Sequence, residues 1–259
     1  MNSNTAAAIK EERVRHHLAK SERYEELLKT YKRPTHEINN KNTGVLWDKL
    51  NKFLDVLSKS DPMTRDRLTT ISSWLKSKKG VRKVLNIGFG PANLEEIVLK
   101  RNTRYGWYGI DISLDSVVAA SKKFPTSSFS RQSVTKIAYP TSYFDAVIAL
   151  EVIEHISPRD TFKALSEINR ILNTNGYLFL SLPLNEGLEK MLSKGENPNA
   201  HVRIYTPDLI TSELKISGFQ ISRKKYLYAF NNLYRLKTLV ARASGMRSPN
   251  NLIIESRKR

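Results

Sequence analysis

Cysteine is absent from all 259 residues, which excludes disulfides, thiolate metal sites and cysteine nucleophiles and leaves the redox compartment unspecified. Long apolar runs are missing too. No stretch of about 18 consecutive apolar residues occurs, the length a helix needs to cross a bilayer. The opening MNSNTAAAIKEER has no apolar core of signal-peptide length before its first acids. These absences lead us to expect a cytoplasmic, soluble protein, with peripheral attachment to a membrane left open. Acids are scarce: 25 Asp and Glu stand against 43 Lys and Arg, a net charge of +18. A field of that size attracts polyanions and anionic lipid surfaces. RNA and an anionic membrane are therefore candidate partners, beside the plainer alternative of a generally basic surface. Only Arg223-Lys224-Lys225 and Arg257-Lys258-Arg259 form compact clusters.

What is present is ordinary globular material. The chain is 40% apolar and 9% aromatic, enough for one good-sized core with a small accessory segment. Residues 1–80 read as a helical N-terminal cap: Ile9 to Tyr31, Val45 to Leu57 with Leu46, Leu50, Phe53, Leu54 and Leu57 in helical spacing, and a third helix from Asp61-Pro62 to about Lys78. Residues 81–259 change pattern. Short apolar runs (VRKVLNIG, YGWYGID, SSFSRQ, FDAVIAL, GYLFLSLP) alternate with helical stretches, as in a parallel sheet with crossover helices. A helix from Thr206 to Ser217, a strand FQISRKKYLY and a final strand from Asn250 to Lys258 follow. Between the last two strands, Asn231 to Ser244 reads as an inserted basic amphipathic helix. We expect it to pack on the sheet or over the substrate mouth, with a membrane-surface or partner-binding role as the alternative.

Gly88-Phe89-Gly90 directly follows the first predicted strand and precedes a helix. Glycine there permits a sharp turn and a close ligand approach that a Cβ would block. Asp111 ends the second strand just over twenty residues beyond Gly88, where an acid can accept both ribose hydroxyls of a nucleoside. A nicotinamide site would want a third glycine in the turn, where this chain has Ala92-Asn93-Leu94.

The ordered series VLNIGFGPANLEE, YGIDIS, YPTSYFDAVIALEVIEHI and EINRILNTNGYLFLSLP resembles the motif series of class I S-adenosylmethionine-dependent methyltransferases, over about residues 81–184. The small-molecule branch, including the ubiquinone-pathway O-methyltransferases, is similar. That resemblance implies a Rossmann-like α/β fold: a seven-stranded, mostly parallel sheet with helices on both faces. It also implies S-adenosylmethionine as cofactor, with Gly88 and Gly90 bordering its methionine part, Asp111 holding the ribose, and Ile112 packing on the adenine. Leu150 belongs to the same cofactor-binding set. Asn86 stands where the family usually has an acid for the cofactor's ammonium, and Ser133 near its usual adenine-binding aspartate. Both can hydrogen bond but bring no charge.

Methyl transfer from a sulfonium is an in-line displacement with an activated leaving group, so alignment supplies much of the catalysis. Glu151, Glu154 and His155 follow the fourth strand, where ligands of open α/β sheets collect, and are the candidates for a base. On one helical turn all three would face one site. The base reading takes no metal. The alternative is a divalent-ion cluster completed by His201, because the ubiquinone-pathway enzymes and the small-RNA 3′-terminal 2′-O-methyltransferases resemble this Glu-x-x-Glu-His turn and use a metal there. His16 and His17 read as solvated. Tyr24, Tyr31 and Trp47 read as cap packing, with an acceptor-pocket role as the alternative. Three functions remain in play: O-methylation of a small-molecule, lipid-linked or glycan acceptor; metal-assisted 2′-O-methylation of RNA; and cofactor binding without catalysis.

Overall fold

The computed structural model describes residues 42–100, 104–184, 187–195 and 199–259. The predicted helix Ile9 to Tyr31, with His16, His17, Tyr24 and Tyr31, lies outside them. Seven strands are formed: β1 (Lys83–Ile87), β2 (Gly106–Asp111), β3 (Ser128–Arg131), β4 (Phe144–Leu150), β5 (Leu172–Pro183), β6 (Phe219–Leu227) and β7 (Asn251–Lys258). They make one sheet in the order β3-β2-β1-β4-β5-β7-β6. The first five are mutually parallel, and β7 runs antiparallel to both β5 and β6. The mostly parallel, Rossmann-like sheet expected from sequence is therefore the one observed.

Eight helices accompany the sheet among the described residues: α1 (Gly44–Ser60), α2 (Pro62–Lys76), α3 (Asn93–Leu99), α4 (Leu114–Lys123), α5 (Pro158–Ile171), α6 (Leu188–Ser193), α7 (Pro207–Ile216) and α8 (Tyr234–Ser244). None is long and apolar enough to cross a membrane. Start signals in the sequence fix several of them. Asp61 caps α2 by accepting from the amides of Met63 and Thr64, with Pro62 in the first turn, and Thr206 caps α7 through Leu209. The short α6 was not foreseen.

Asn40–Arg259 forms one compact unit. Ile71, Trp74 and Leu75 of α2 share a core cluster with Val84, Trp107, Ile148, Phe179 and Ile253 of the sheet. Residue 80 thus marks a change from helical to alternating sequence, while α2 and the strands bury one common core.

The chain leaves β1 toward β2 and β3 on one side, and resumes with β4 and β5 on the other. The carboxyl ends of β1 and β4 therefore flank the point where strand order reverses, the place where open α/β sheets bind ligands.

Candidate active site

Gly88 and Gly90 turn the chain at the end of β1 with φ of +65° and +52°. A Cβ on Gly88 would stand 2.7 Å from Cγ2 of Val152, so glycine is required there by both backbone and space. The turn is pinned from the neighbouring strand: the amide of Gly90 donates to Oδ2 of Asp111 at 2.9 Å, and the amide of Ser113 to Oδ1 at 2.8 Å. Burial raises the carboxyl of Asp111, against the lowering pull of those amides.

A cavity of about 1360 Å³ opens beside this turn. All seven residues read from sequence as cofactor-binding line it: Asn86, Gly88, Gly90, Asp111, Ile112, Ser133 and Leu150. Glu151, His155, His201 and Trp47 line it as well. Asn86, where an acid was expected, donates from Nδ2 to Oε1 of Glu95 at 2.7 Å, and Trp107 donates to the same oxygen at 3.1 Å. The carboxylate absent at residue 86 thus lies one hydrogen bond behind it, on α3. Glu95 is fully buried, and desolvation pushes its carboxyl up to about 7.

The expectation that Glu151, Glu154 and His155 share one helical turn needs correction. A single 3₁₀ turn spans Ile153–His155, and Glu151 lies before it in the left-handed region, with φ +54°. That conformation turns Glu151 toward β5 and β7. Its carboxylate accepts from Ser181 at 2.7 Å and from Asn251 at 3.0 Å on both oxygens, and pairs with Arg67 of α2 at 3.0 Å. Burial raises the Glu151 carboxyl, but Arg67 and these donors outweigh it and hold the group below its ordinary value.

A different trio converges. One donor atom each from Glu154, His155 and His201 lies within 4.8 Å of the others. Oε1 of Glu154 stands 3.9 Å from Nε2 of His155 and 4.0 Å from Nε2 of His201. Nδ1 of His155 lies 3.2 Å from the carbonyl oxygen of Ala200. A carbonyl only accepts, so Nδ1 carries the hydrogen and Nε2 keeps its lone pair toward the trio. Burial, aided by His201, pushes His155 down to about 4, so the ring is neutral at pH 7. Ala200, like Glu151, is left-handed, and the amide of Val202 donates to the Glu154 carbonyl at 2.9 Å. Two strained residues thus bring the loop carrying His201 onto the 3₁₀ turn.

Trp47 of α1, for which an acceptor-pocket role was the alternative to cap packing, lines the cavity and meets the His155 ring edge-on at 4.7 Å. Other residues of the site carry no sequence signal: Asn42 donates to the His155 carbonyl at 2.7 Å. Asn51 donates to Ser116, and Ser113 to Asp48, which ties α1 to the start of α4 after β2. Behind His201, buried Arg203 pairs with Glu213 at 2.5 Å and donates to Thr161 and Tyr205. Only the fold brings these positions together.

A glycine turn, an acid at the tip of β2 and a roomy cavity at the strand-order reversal are the features with which open α/β sheets hold nucleoside-bearing ligands. Comparison with known proteins agrees. The family model for a methyltransferase domain matches residues 48–224, and the chain belongs to that family, as an S-adenosylmethionine-dependent methyltransferase. It is similar to a trans-aconitate 2-methyltransferase of Rhodopseudomonas palustris, 31% identical over 104 residues, 40% of this chain and 40% of that relative's own length. Among solved structures it is similar to the N-methyltransferase NodS of Bradyrhizobium japonicum in complex with S-adenosyl-L-homocysteine. The TM-score is 0.58 at 13% identity, covering 77% of this chain and 89% of that one. The [4+2]-cyclase SpnF is similar too, with TM-score 0.57 at 20% identity over 74% and 80% of the two chains. Likenesses at these identities show the fold alone.

Proposed function

We propose that this methyltransferase acts on an oxygen of a small-molecule, lipid-linked or glycan acceptor held between the cofactor turn and the His155 face of the cavity. The observation that carries the reading is the cavity itself. At about 1360 Å³ it exceeds the roughly 300–1,000 Å³ of a pocket for one small ligand. Asp111 and the glycine turn line it, and so do Trp47, His155 and His201.

S-adenosylmethionine supplies the activated methyl group. The residues present fit it: Gly88 leaves no room for a Cβ, and the Asp111 carboxylate, which accepts the amides of Gly90 and Ser113 on its two oxygens, lines the cavity where ribose hydroxyls would donate to it. Asn86 faces the same cavity with the buried Glu95 behind it.

His155 takes the acceptor proton. As the oxygen–methyl bond forms, the oxygen–hydrogen bond becomes strongly acidic. Even a weakly basic Nε2 then suffices to take the proton from the acceptor oxygen, to which bound S-adenosylmethionine would supply the methyl group. Glu154, 3.9 Å away, stabilises the imidazolium that results. Glu151, locked by Arg67 and Asn251, shapes the wall.

The trio of Glu154, His155 and His201 supports a second reading, in which these donors hold a divalent cation that binds the acceptor's oxygens, as metal-assisted 2′-O-methylation of RNA would require. Two of their separations, 3.9 and 4.0 Å, exceed those around a tetrahedral zinc by about half an ångström, and the donor atoms all lie within 4.8 Å of one another, so holding an ion would require the three side chains to draw together.

The test is transfer of labelled methyl from S-adenosylmethionine into cell extract fractionated into RNA, lipid, protein and small molecules, with and without chelator. Chelator-resistant label in lipid or small molecules supports the first reading, and label in RNA that chelator abolishes supports the second. Cofactor binding without transfer to any fraction would reject both in favour of a non-catalytic, cofactor-binding protein.

A further inference from the structure

Helix α8 was expected to bury its apolar side against the sheet or the substrate mouth. It does the reverse. Thr238 and Ala241 are buried, and Tyr234 reaches Asp66 of α2 with its hydroxyl at 3.0 Å. Leu236 is 58% exposed, Leu239 66% and Val240 51%, with Leu233 at 67% just before the helix and Met246 at 83% just after it. Intervals of three and four residues place these side chains on one stripe, opposite the buried small face. The small residues attach the helix to the molecule and the large ones point into solvent.

The charges around the stripe have one sign. No Asp or Glu occurs between Glu213 and Glu255, while that stretch holds eight Lys and Arg. Arg235 and Arg242, seven residues apart, run along one edge of the stripe and Lys237 lies on the other. Arg247 follows, stacked on Phe230 at 4.3 Å. An apolar stripe edged with cations on both sides matches a surface offering hydrocarbon below and negative charge at the same level.

We propose that α8 is a membrane-docking helix that lies in the headgroup region of an anionic bilayer, with Leu233, Leu236, Leu239 and Val240 inserted and Arg235, Lys237 and Arg242 against lipid phosphates. This rests on α8 and its surroundings, independently of the acceptor reading. It has a consequence for the site, because Ala229 and Asn231 on one side of α8 and Asn250 on the other line the cavity. A docked chain holds the cavity rim beside the lipid surface.

The experiment is vesicle flotation with the full chain, using phosphatidylcholine vesicles with and without phosphatidylglycerol. The double variant Leu236→Asn/Leu239→Asn and the charge variant Arg235→Gln/Lys237→Gln serve as comparisons. Calorimetry with S-adenosylmethionine in each protein checks that the fold and cofactor turn are retained. The native chain should float with anionic vesicles, and both variants should partition at least about tenfold more weakly with cofactor affinity unchanged. Absence of flotation with anionic vesicles, or equal flotation by the leucine variant, overturns the proposal. So does light scattering that finds a native dimer dissolved by Leu236→Asn/Leu239→Asn, since the stripe then belongs to a second copy. Methyl transfer to a soluble acceptor is measured separately, so failure to dock and failure to methylate are distinguishable.

Discussion

The amide of Gly90 donates to Oδ2 of Asp111 across 2.9 Å, and this bond makes the acid at the end of β2 a structural part of the glycine turn after β1. The two motif pieces recognised separately in sequence are therefore one unit. Altering Asp111 therefore changes the geometry of the glycine turn as well as any contact that its carboxylate makes in the cavity.

Asp111→Ala should weaken S-adenosylmethionine binding at least tenfold, about 1.4 kcal/mol, because it removes charge-assisted hydrogen bonds and frees the Gly90 amide. Titration calorimetry measures it. Unchanged affinity would reject the ribose assignment.

Arg67 and Glu151 make a largely enclosed ion pair, and Arg67 helps hold the Glu151 carboxyl below its ordinary value. Arg67→Met should lower stability by roughly 1–3 kcal/mol at pH 7, by leaving the partly buried Glu151 carboxylate without its cation. Adding Glu151→Gln should recover part of that loss. The folded carboxyl titrates below the unfolded one, so the pair's contribution is full above about pH 4.5 and disappears as pH falls further. Denaturant melts at pH 7 and pH 4 check both statements.

How much of this was legible beforehand divides along physical lines. Strands, caps and the glycine turn depend on neighbours within a few residues, and their signals were readable: Asp61 and Thr206 cap the helices they were expected to open. Arg67, Asn251 and Asn42 reach the site from far along the chain, and no local pattern marks them. Helical spacing groups Glu151 with Glu154 and His155, but Glu151 has a φ of +54° and precedes the turn at Ile153–His155, and the spacing holds only once a helix has begun. Asn231 to Ser244 reads from sequence as an amphipathic helix, and α8 forms there over Tyr234–Ser244, but periodicity shows only that a stripe exists. Which side of the helix meets the protein is decided by packing around Thr238 and Ala241.

Glu95 gives a stability prediction with a definite sign. Its native carboxyl is pushed up to about 7 from 4.5, so between those values the folded state holds a proton that the unfolded chain has released. Stability therefore falls as pH rises through that window and is level above it. Glu95→Gln imitates the protonated form and can still accept from Asn86 and Trp107. Its advantage over the native chain should be near zero at pH 4.5 and grow to of order 3 kcal/mol by pH 7 to 8. Melting curves across that range decide the point, and a pH-independent difference would show that Glu95 ionises normally.

His155 and His201 separate the two chemical readings. If His155 is the base, His155→Asn should lower kcat/KM by at least about 100-fold, while His201→Asn, which leaves Nε2 of His155 in place, should cost less than about tenfold, and chelator should have no effect. Because burial holds His155 down to about 4, the rate should stay level from pH 8 to about pH 5, where a histidine of ordinary pKa would already be lost to protonation. If the trio holds a cation, both histidine variants and Glu154→Gln should fall together, since removing any one of three donors opens the site, and added metal should restore chelated native protein but not the variants. Equal losses with metal rescue would therefore reassign His155 from base to ligand and move the acceptor toward vicinal oxygens. A large loss confined to His155 keeps the proton on its Nε2.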